Sequence, residues 1–304
     1  MSSWRMGTVK QYKVHHKKWS KFCLENGINA NCATVEQGIE FLTSLYRNGL
    51  TYSSINAARS ALSIIIRDSQ GTSFGQHYLV KRFMKGVFEN RPYFPRTTTV
   101  WSVSQVLGYL EALGGADNLS LKLLTLRLTF LLCLLAGQRV QTIHALTLDD
   151  MSLNDSVCIF SVNHILKTTK PGIYLKPIRY LAFPENKDLC VINNLTCYLA
   201  KTQLLRKECR QLLISTVKPF RAVSRSTISR WCKDVLSNAG IDTEQIGAHS
   251  IRSAATSYAR FKGLPLSVIL NAAGWTRETT FERYYHKTID NRDDLNFGQF
   301  ILST

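Results

Sequence analysis

Four short stretches of the sequence carry side chains suited to phosphate chemistry. Arg139 lies in AGQRVQTIHAL, Lys167 in HILKTTKPG, His249 and Arg252 in AHSIRSAATS, and Trp275, Tyr284 and Tyr285 in GWTRETTFERYYHK. Singly, each has an ordinary structural reading: an arginine after a glycine, a lysine at a turn, two residues on one helix face, aromatics in a core. Jointly they meet the needs of one reaction. Attack on a phosphodiester builds negative charge on the oxygens around phosphorus. Two guanidiniums can hold those oxygens in forked pairs. A histidine can donate to the same oxygens or take the proton of the nucleophile. A lysine can protonate the leaving 5′ oxygen, and a tyrosine can attack and keep the 3′ phosphate as a covalent ester. No glycine-rich phosphate loop of the GxxxxGK[ST] form and no paired-carboxylate arrangement offers a rival chemistry.

The bulk of the chain agrees with a polyanionic substrate. It has 304 residues and a net charge of +17. Residues 1–95 hold 13 basic against 5 acidic side chains, and residues 96–304 hold 25 against 16, so the excess is spread over the body and is no basic tail. Such a surface favours a nucleic acid partner with salt-sensitive affinity. The eight cysteines include no CxxC pair and no zinc-type spacing, which implies reduced thiols in a cytosolic or nuclear protein. The start MSSWRMGTVK has no apolar signal core, and the most apolar run, LTFLLCLLAGQ, is too short to cross a bilayer and reads as a buried helix.

These side chains need elements to position them. Residues 7–90 read as helices: Thr34 and Gln37 have capping-box spacing, Thr51 or Ser53 starts the next helix, and HYLVKRFMKGVFEN is basic and amphipathic. RPYFPRTTTV reads as an extended linker. Helix restarts at Ser102 and Gln105, a second capping box. A strand pair, SVCIFSV and IYLKPIRYLAF, is expected around a turn at Pro171-Gly172, followed by helices with a short strand possible at LLIS. The expected organisation is a helical domain over 1–92, a linker over 93–100 and a second domain over 101–304. The tail NRDDLNFGQFILST ends in apolar residues that suit packing on its own domain or docking on a neighbour.

Order and spacing of these motifs resemble the tyrosine recombinase, or phage-integrase, family: AGQR with Leu146 after it, KTTKPG, HSIR, and GW before tyrosine. Within that family the phrases GQRVQTIHAL, LKTTKPG, HSIRSAATS and AGWTRETTFERYYHK are similar to those of recombinases from eukaryotic DIRS-like and Crypton mobile elements. The resemblance implies a mainly α fold: a helical core-binding domain plus an α+β catalytic domain with a small antiparallel sheet, closing as a clamp on double-stranded DNA. It implies Arg139 and Arg252 as the paired arginines, Lys167 as the hairpin lysine, His249 as the first histidine, Trp275 where many members have histidine, and a tyrosine nucleophile. It requires no cofactor or metal. It implies a homo-oligomer (a dimer on a site, a tetramer in a synapse) with the C-terminal helix docking in trans, and a nuclear location with no membrane association. A type IB topoisomerase, which shares the chemistry, and a domesticated DNA-binding protein without cleavage are the alternatives.

Two positions depart from the family pattern or divide it. Thr142 stands where many members have glutamate, and Lys170 rivals Lys167. Tyr284 lies nine residues after Trp275, the usual bacterial and phage spacing. Tyr285 lies ten after it and matches the eukaryotic-element pattern, in which the first position can be phenylalanine. Neighbours on a helix point about 100° apart, so only one can reach the phosphate. The reading takes Tyr285, with Tyr284 as its rival. Lys81, Arg82, Lys85 and Arg96 are expected on the DNA backbone. Tyr52, Ser53, Ser54, Asn56 and Arg59 are expected near a groove by analogy with the core-binding domain, and the remaining histidines are read as surface or core.

Overall fold

The structure is a computed structural model that describes residues 4–92, 100–163, 169, 172, 176–244 and 246–287. The chain divides into two compact units, Met1–Pro95 and Arg96–Thr304, each with its own hydrophobic core.

The first unit is helical among its described residues: α1 (Met6–Glu25), α2 (Val35–Arg47), α3 (Tyr52–Leu62), a 3-10 turn at Phe74–Gln76 and α4 (Tyr78–Asn90). The capping box forms at α2: Gln37 N–H donates to Thr34 Oγ1 at 3.3 Å, and Thr34 N–H donates to Gln37 Oε1 at 3.0 Å. Beyond the cap, Phe41, Leu42 and Leu45 recur at helical spacing and are buried against Trp19, Ile55 and Leu62. Thr51, not Ser53, caps α3. Arg91 lies 3.9 Å from the centre of the Tyr46 ring and donates to the carbonyls of Tyr46 and Leu50. It therefore ties the end of α4 to the end of α2.

The second unit is built around α6 (Leu121–Ala136). This helix is apolar on every side, which commits it to the interior, and α8 (Val191–Thr202), α9 (Arg225–Asn238) and α10 (His249–Phe261) pack on it. Arg127 on this helix is fully buried and donates to Asn194 Oδ1, Leu110 O and Gly114 O, with Asp188 at 3.7 Å. Before α6 comes α5 (Val103–Ala112), and after it the short α7 (Val140–His144). Ser102 caps α5, but no box closes, because the Gln105 side chain donates to Ala239 O at 2.8 Å instead.

The sheet has three antiparallel strands in the order β1-β2-β3: Met151–Leu153, Val157–Phe160 and Ile178–Leu181. The fold is thus mainly α with a small antiparallel sheet. The strand pair expected from sequence forms, with Val157 opposite Leu181, and β1 adds a third strand that three residues were too few to signal. Around Leu212 to Ile214 no strand forms, and the chain makes isolated bridges at Gln211 and Ile214. Of the hairpin connection, Gly172 has φ +74°; Lys167, Lys170 and Pro171 lie outside the described residues, as do Arg96 and the C-terminal segment from 288. The chain closes with α11 (Leu266–Ala273) and α12 (Glu278–Tyr284). Among the described residues no helix is long and apolar enough to cross a membrane, and no group of His, Cys, Asp and Glu is placed to hold a metal ion.

Candidate active site

A small cluster separate from the main core gathers Ile269, Ala273, Trp275, Phe281 and Tyr285. Around it the structure brings together five of the six residues singled out in sequence. The sixth, Lys167, lies outside the described residues.

Arg139 is positioned by the end of α6. Gly137 terminates that helix in the left-handed conformation (φ +55°), and Arg139 follows as the extended residue that starts α7. Gln138, between them, donates from Nε2 to Ala272 O at 2.5 Å, and its Oε1 lies 3.5 Å from Thr142 Oγ1. Thr142, the departure from the family pattern, thus borders the residue that ties this turn to α11.

His249 and Arg252 share one face of α10. The first turn of that helix is held by Trp101, whose Nε1 donates to Ser250 Oγ at 3.0 Å. Arg252 is 1% exposed. Its Nη2 donates to Ala273 O at 2.7 Å, and its guanidinium carbon lies 4.3 Å from the Trp275 ring centre and 5.4 Å from that of Tyr285. Burial, and next the like charge of Arg139, lower its pKa to about 10, with Tyr285 opposing the shift. At neutral pH the guanidinium keeps its charge. Its Nε and Nη1, both buried, have no hydrogen-bond partner among the described residues, and neither has the buried Nε1 of Trp275. Buried donors are nearly always satisfied. Three such donors beside one tyrosine are chemically suited to an oxyanion.

Gly274 ends α11 at φ +67°, a conformation that leads Trp275 back inward, where its N–H donates to Leu270 O. The Trp275 and Tyr285 ring centres are 4.4 Å apart. Tyr285 is 7% exposed and its Oη lies 3.1 Å from His249 Nε2, while Tyr284 is 60% exposed and packs near Arg283. The reason is local. Helix α12 stops at Tyr284, and Tyr285 has φ −129° and ψ −23°, so its ring leaves the helix and turns toward α10.

Sequence reasoning missed Trp101, Gln138 and Ser257. Ser257 is buried on α10; its hydroxyl donates to Tyr285 O at 2.6 Å and accepts from Lys287 N–H at 3.1 Å. The eight-residue interval from His249 places it on the same helix face, but a serine on an amphipathic helix gives no sign that it is buried. Among the expected DNA contacts, Lys81, Arg82 and Lys85 are exposed on α4. Ser53 and Ser54 join the Thr51 cap, Tyr52 packs edge-on against Phe88, and Asn56 Oδ1 and Arg59 Nε have no partner among the described residues.

Comparison with known proteins bears on family and fold. The sequence model described as "Phage integrase family" matches residues 107–290. No curated protein matches the chain in sequence. Among solved structures, the chain is similar to XerH site-specific recombinase bound to palindromic difH substrate, a post-cleavage complex, with TM-score 0.62 and 15% identity over 91% of this chain and 76% of that one. It is similar to the Tn1549 transposon integrase in complex with transposon right end DNA, with TM-score 0.59 and 14% identity over 100% and 96%. A lambda integrase dimer bound to a COC′ core site gives TM-score 0.55 and 16% identity over 96% and 74%. At these identities the likeness is one of fold.

Proposed function

The chain belongs to the phage integrase family, and from that premise we propose that it is a site-specific DNA recombinase acting through a 3′-phosphotyrosine. The observation that carries the proposal is the Tyr285 hydroxyl 3.1 Å from His249 Nε2 beside the buried, unpartnered donors of Arg252 and Trp275. A tyrosine that merely packed would not need that surround.

In the proposed reaction, Tyr285 Oη attacks the scissile phosphorus. The bond from phosphorus to the 5′ oxygen breaks, and the phosphate remains esterified to tyrosine at its 3′ side. His249 Nε2, unprotonated, takes the phenolic proton. Lys167 gives a proton to the leaving 5′ oxygen. Arg139, Arg252 and the Trp275 N–H hold the non-bridging oxygens as charge grows on them. Attack by the 5′ hydroxyl of a partner strand reverses the steps and restores free tyrosine.

The same proposal covers the partners and setting. Residues 1–92 act as the core-binding domain and 101–304 as the catalytic domain. Double-stranded DNA is the substrate, with a dimer on each site and a tetramer in the synapse. The setting is integration or excision of a eukaryotic DIRS-like or Crypton-like mobile element in the nucleus. The basic charge of both halves and the motif phrases support this reading. The test is selection of bound and cleaved duplexes from a random pool, followed by a nicked suicide duplex of the selected site. A covalent protein–DNA adduct that survives SDS is expected. DNA binding without adduct would select the non-cleaving alternative, and relaxation of any supercoiled plasmid by a monomer would select the topoisomerase.

A further inference from the structure

The Ser257 hydroxyl touches the chain on both sides of the residue following Tyr285. Its proton goes to Tyr285 O at 2.6 Å and its lone pair accepts Lys287 N–H at 3.1 Å, so a single buried oxygen closes a clasp over the tripeptide 285–287. The place matters because α12 ends there. The last carbonyls of a helix have no partner within it, and a buried carbonyl without one is costly. Tyr285 N–H and His286 N–H both donate to Phe281 O at 2.8 Å, which brings the helix to its close. The Tyr285 carbonyl then points away from α12 and finds Ser257 on α10.

Resting on the recombinase reading above, we propose that Ser257 is a positioning residue for the nucleophile. It acts through the backbone and not through the phosphate. It sits on the same helix as His249 and Arg252, eight and five residues beyond them. One rigid helix therefore carries the base, the buried guanidinium and the fastening of the tyrosine. The clasp thus helps to register Tyr285 Oη on His249 Nε2 from α10, beside the packing of its ring on Trp275. A misplacement of about 1 Å costs on the order of 10²-fold in rate, so loss of the clasp should slow cleavage without changing how DNA is held.

The experiment uses the full chain and a suicide duplex of the selected site. Ser257→Ala should lower the single-turnover rate of adduct formation by roughly 10- to 100-fold, with the DNA dissociation constant unchanged. Hydrogen exchange in the free protein should speed up at the Lys287 amide and not across α6. Ser257→Thr, which keeps the hydroxyl, should recover most of the rate and the protection. A wild-type cleavage rate in Ser257→Ala would overturn the proposal. So would a parallel loss of DNA affinity and thermal midpoint, which would mark a general packing role, or a failure of Ser257→Thr to recover rate. If the wild-type chain itself forms no adduct on DNA it binds, the recombinase reading falls and this proposal with it, a result distinct from failure in the variant alone.

Discussion

The Tyr285 hydroxyl and His249 Nε2 meet at 3.1 Å across 36 residues of sequence. Tyr284, one residue earlier, faces solvent. The pair therefore separates by environment. Tyr285→Phe should abolish the SDS-stable DNA adduct, and Tyr284→Phe should leave its rate within about threefold, as a surface change remote from the phosphate allows. Gel assay of both variants on one suicide duplex checks this. The opposite pattern would return the nucleophile to the nine-residue spacing.

Arg252 provides a pH test. Burial and the charge of Arg139 lower its pKa to about 10. The same burial and like charge should lower the pKa of an ammonium placed there. The Arg252→Lys variant should therefore lose cleavage on the alkaline side at a lower pH than the wild type does. The stability sign is opposite. A base whose folded pKa is depressed binds fewer protons folded than unfolded between the two values, so the thermal midpoint of the variant should rise with pH through that window. A flat profile for Arg252→Lys would show that the site is better solvated than its burial implies.

Trp275 combines packing with one unpartnered donor. Trp275→Phe keeps an aromatic ring and loses the N–H. Removal of one donor to a developing oxyanion costs about 10²-fold in rate, and the melting temperature should change little. Trp275→His restores an N–H and should cleave faster than Trp275→Phe. Single-turnover rates and melting curves of the two variants distinguish a donor from a spacer.

Arg127 tests the scaffold apart from the chemistry. Arg127→Ala strands the carbonyls of Leu110 and Gly114, Asn194 and the carboxylate of Asp188. Removing one member of a buried charged network costs about 3–5 kcal/mol. Urea unfolding should show that loss, while DNA affinity of the folded variant stays near the wild type.

Much of this architecture could be read in the sequence because local signals and tertiary needs coincide. Thr34 and Gln37 announced a cap that forms, and the uninterrupted apolar run of α6 announced a central helix. Where a side chain has a distant competitor, the local signal misled. Gln105 had the spacing of a capping box, yet Ala239 O, 134 residues away, takes its amide. The order of Arg139, His249, Arg252 and Trp275 was legible as chemistry. The choice of Tyr285 over Tyr284 came from motif resemblance and not from local pattern, because the inward turn depends on where α12 stops; the role of Ser257 at the Tyr285 carbonyl lies on another helix. Trp101 and Gln138 were equally hidden, since each acts on an atom more than a hundred residues away.

Two successive carbonyls at the end of α11, Ala272 and Ala273, are each held by a side chain adjoining or belonging to the arginine pair: Gln138 on one, Arg252 on the other. The helix end is thereby a fixed datum, and the route from it to Tyr285 has a set length. One residue added between Trp275 and α12 would carry the tyrosine about a third of a turn from His249. Natural or engineered variation in length should therefore be forbidden in the ten residues after Trp275.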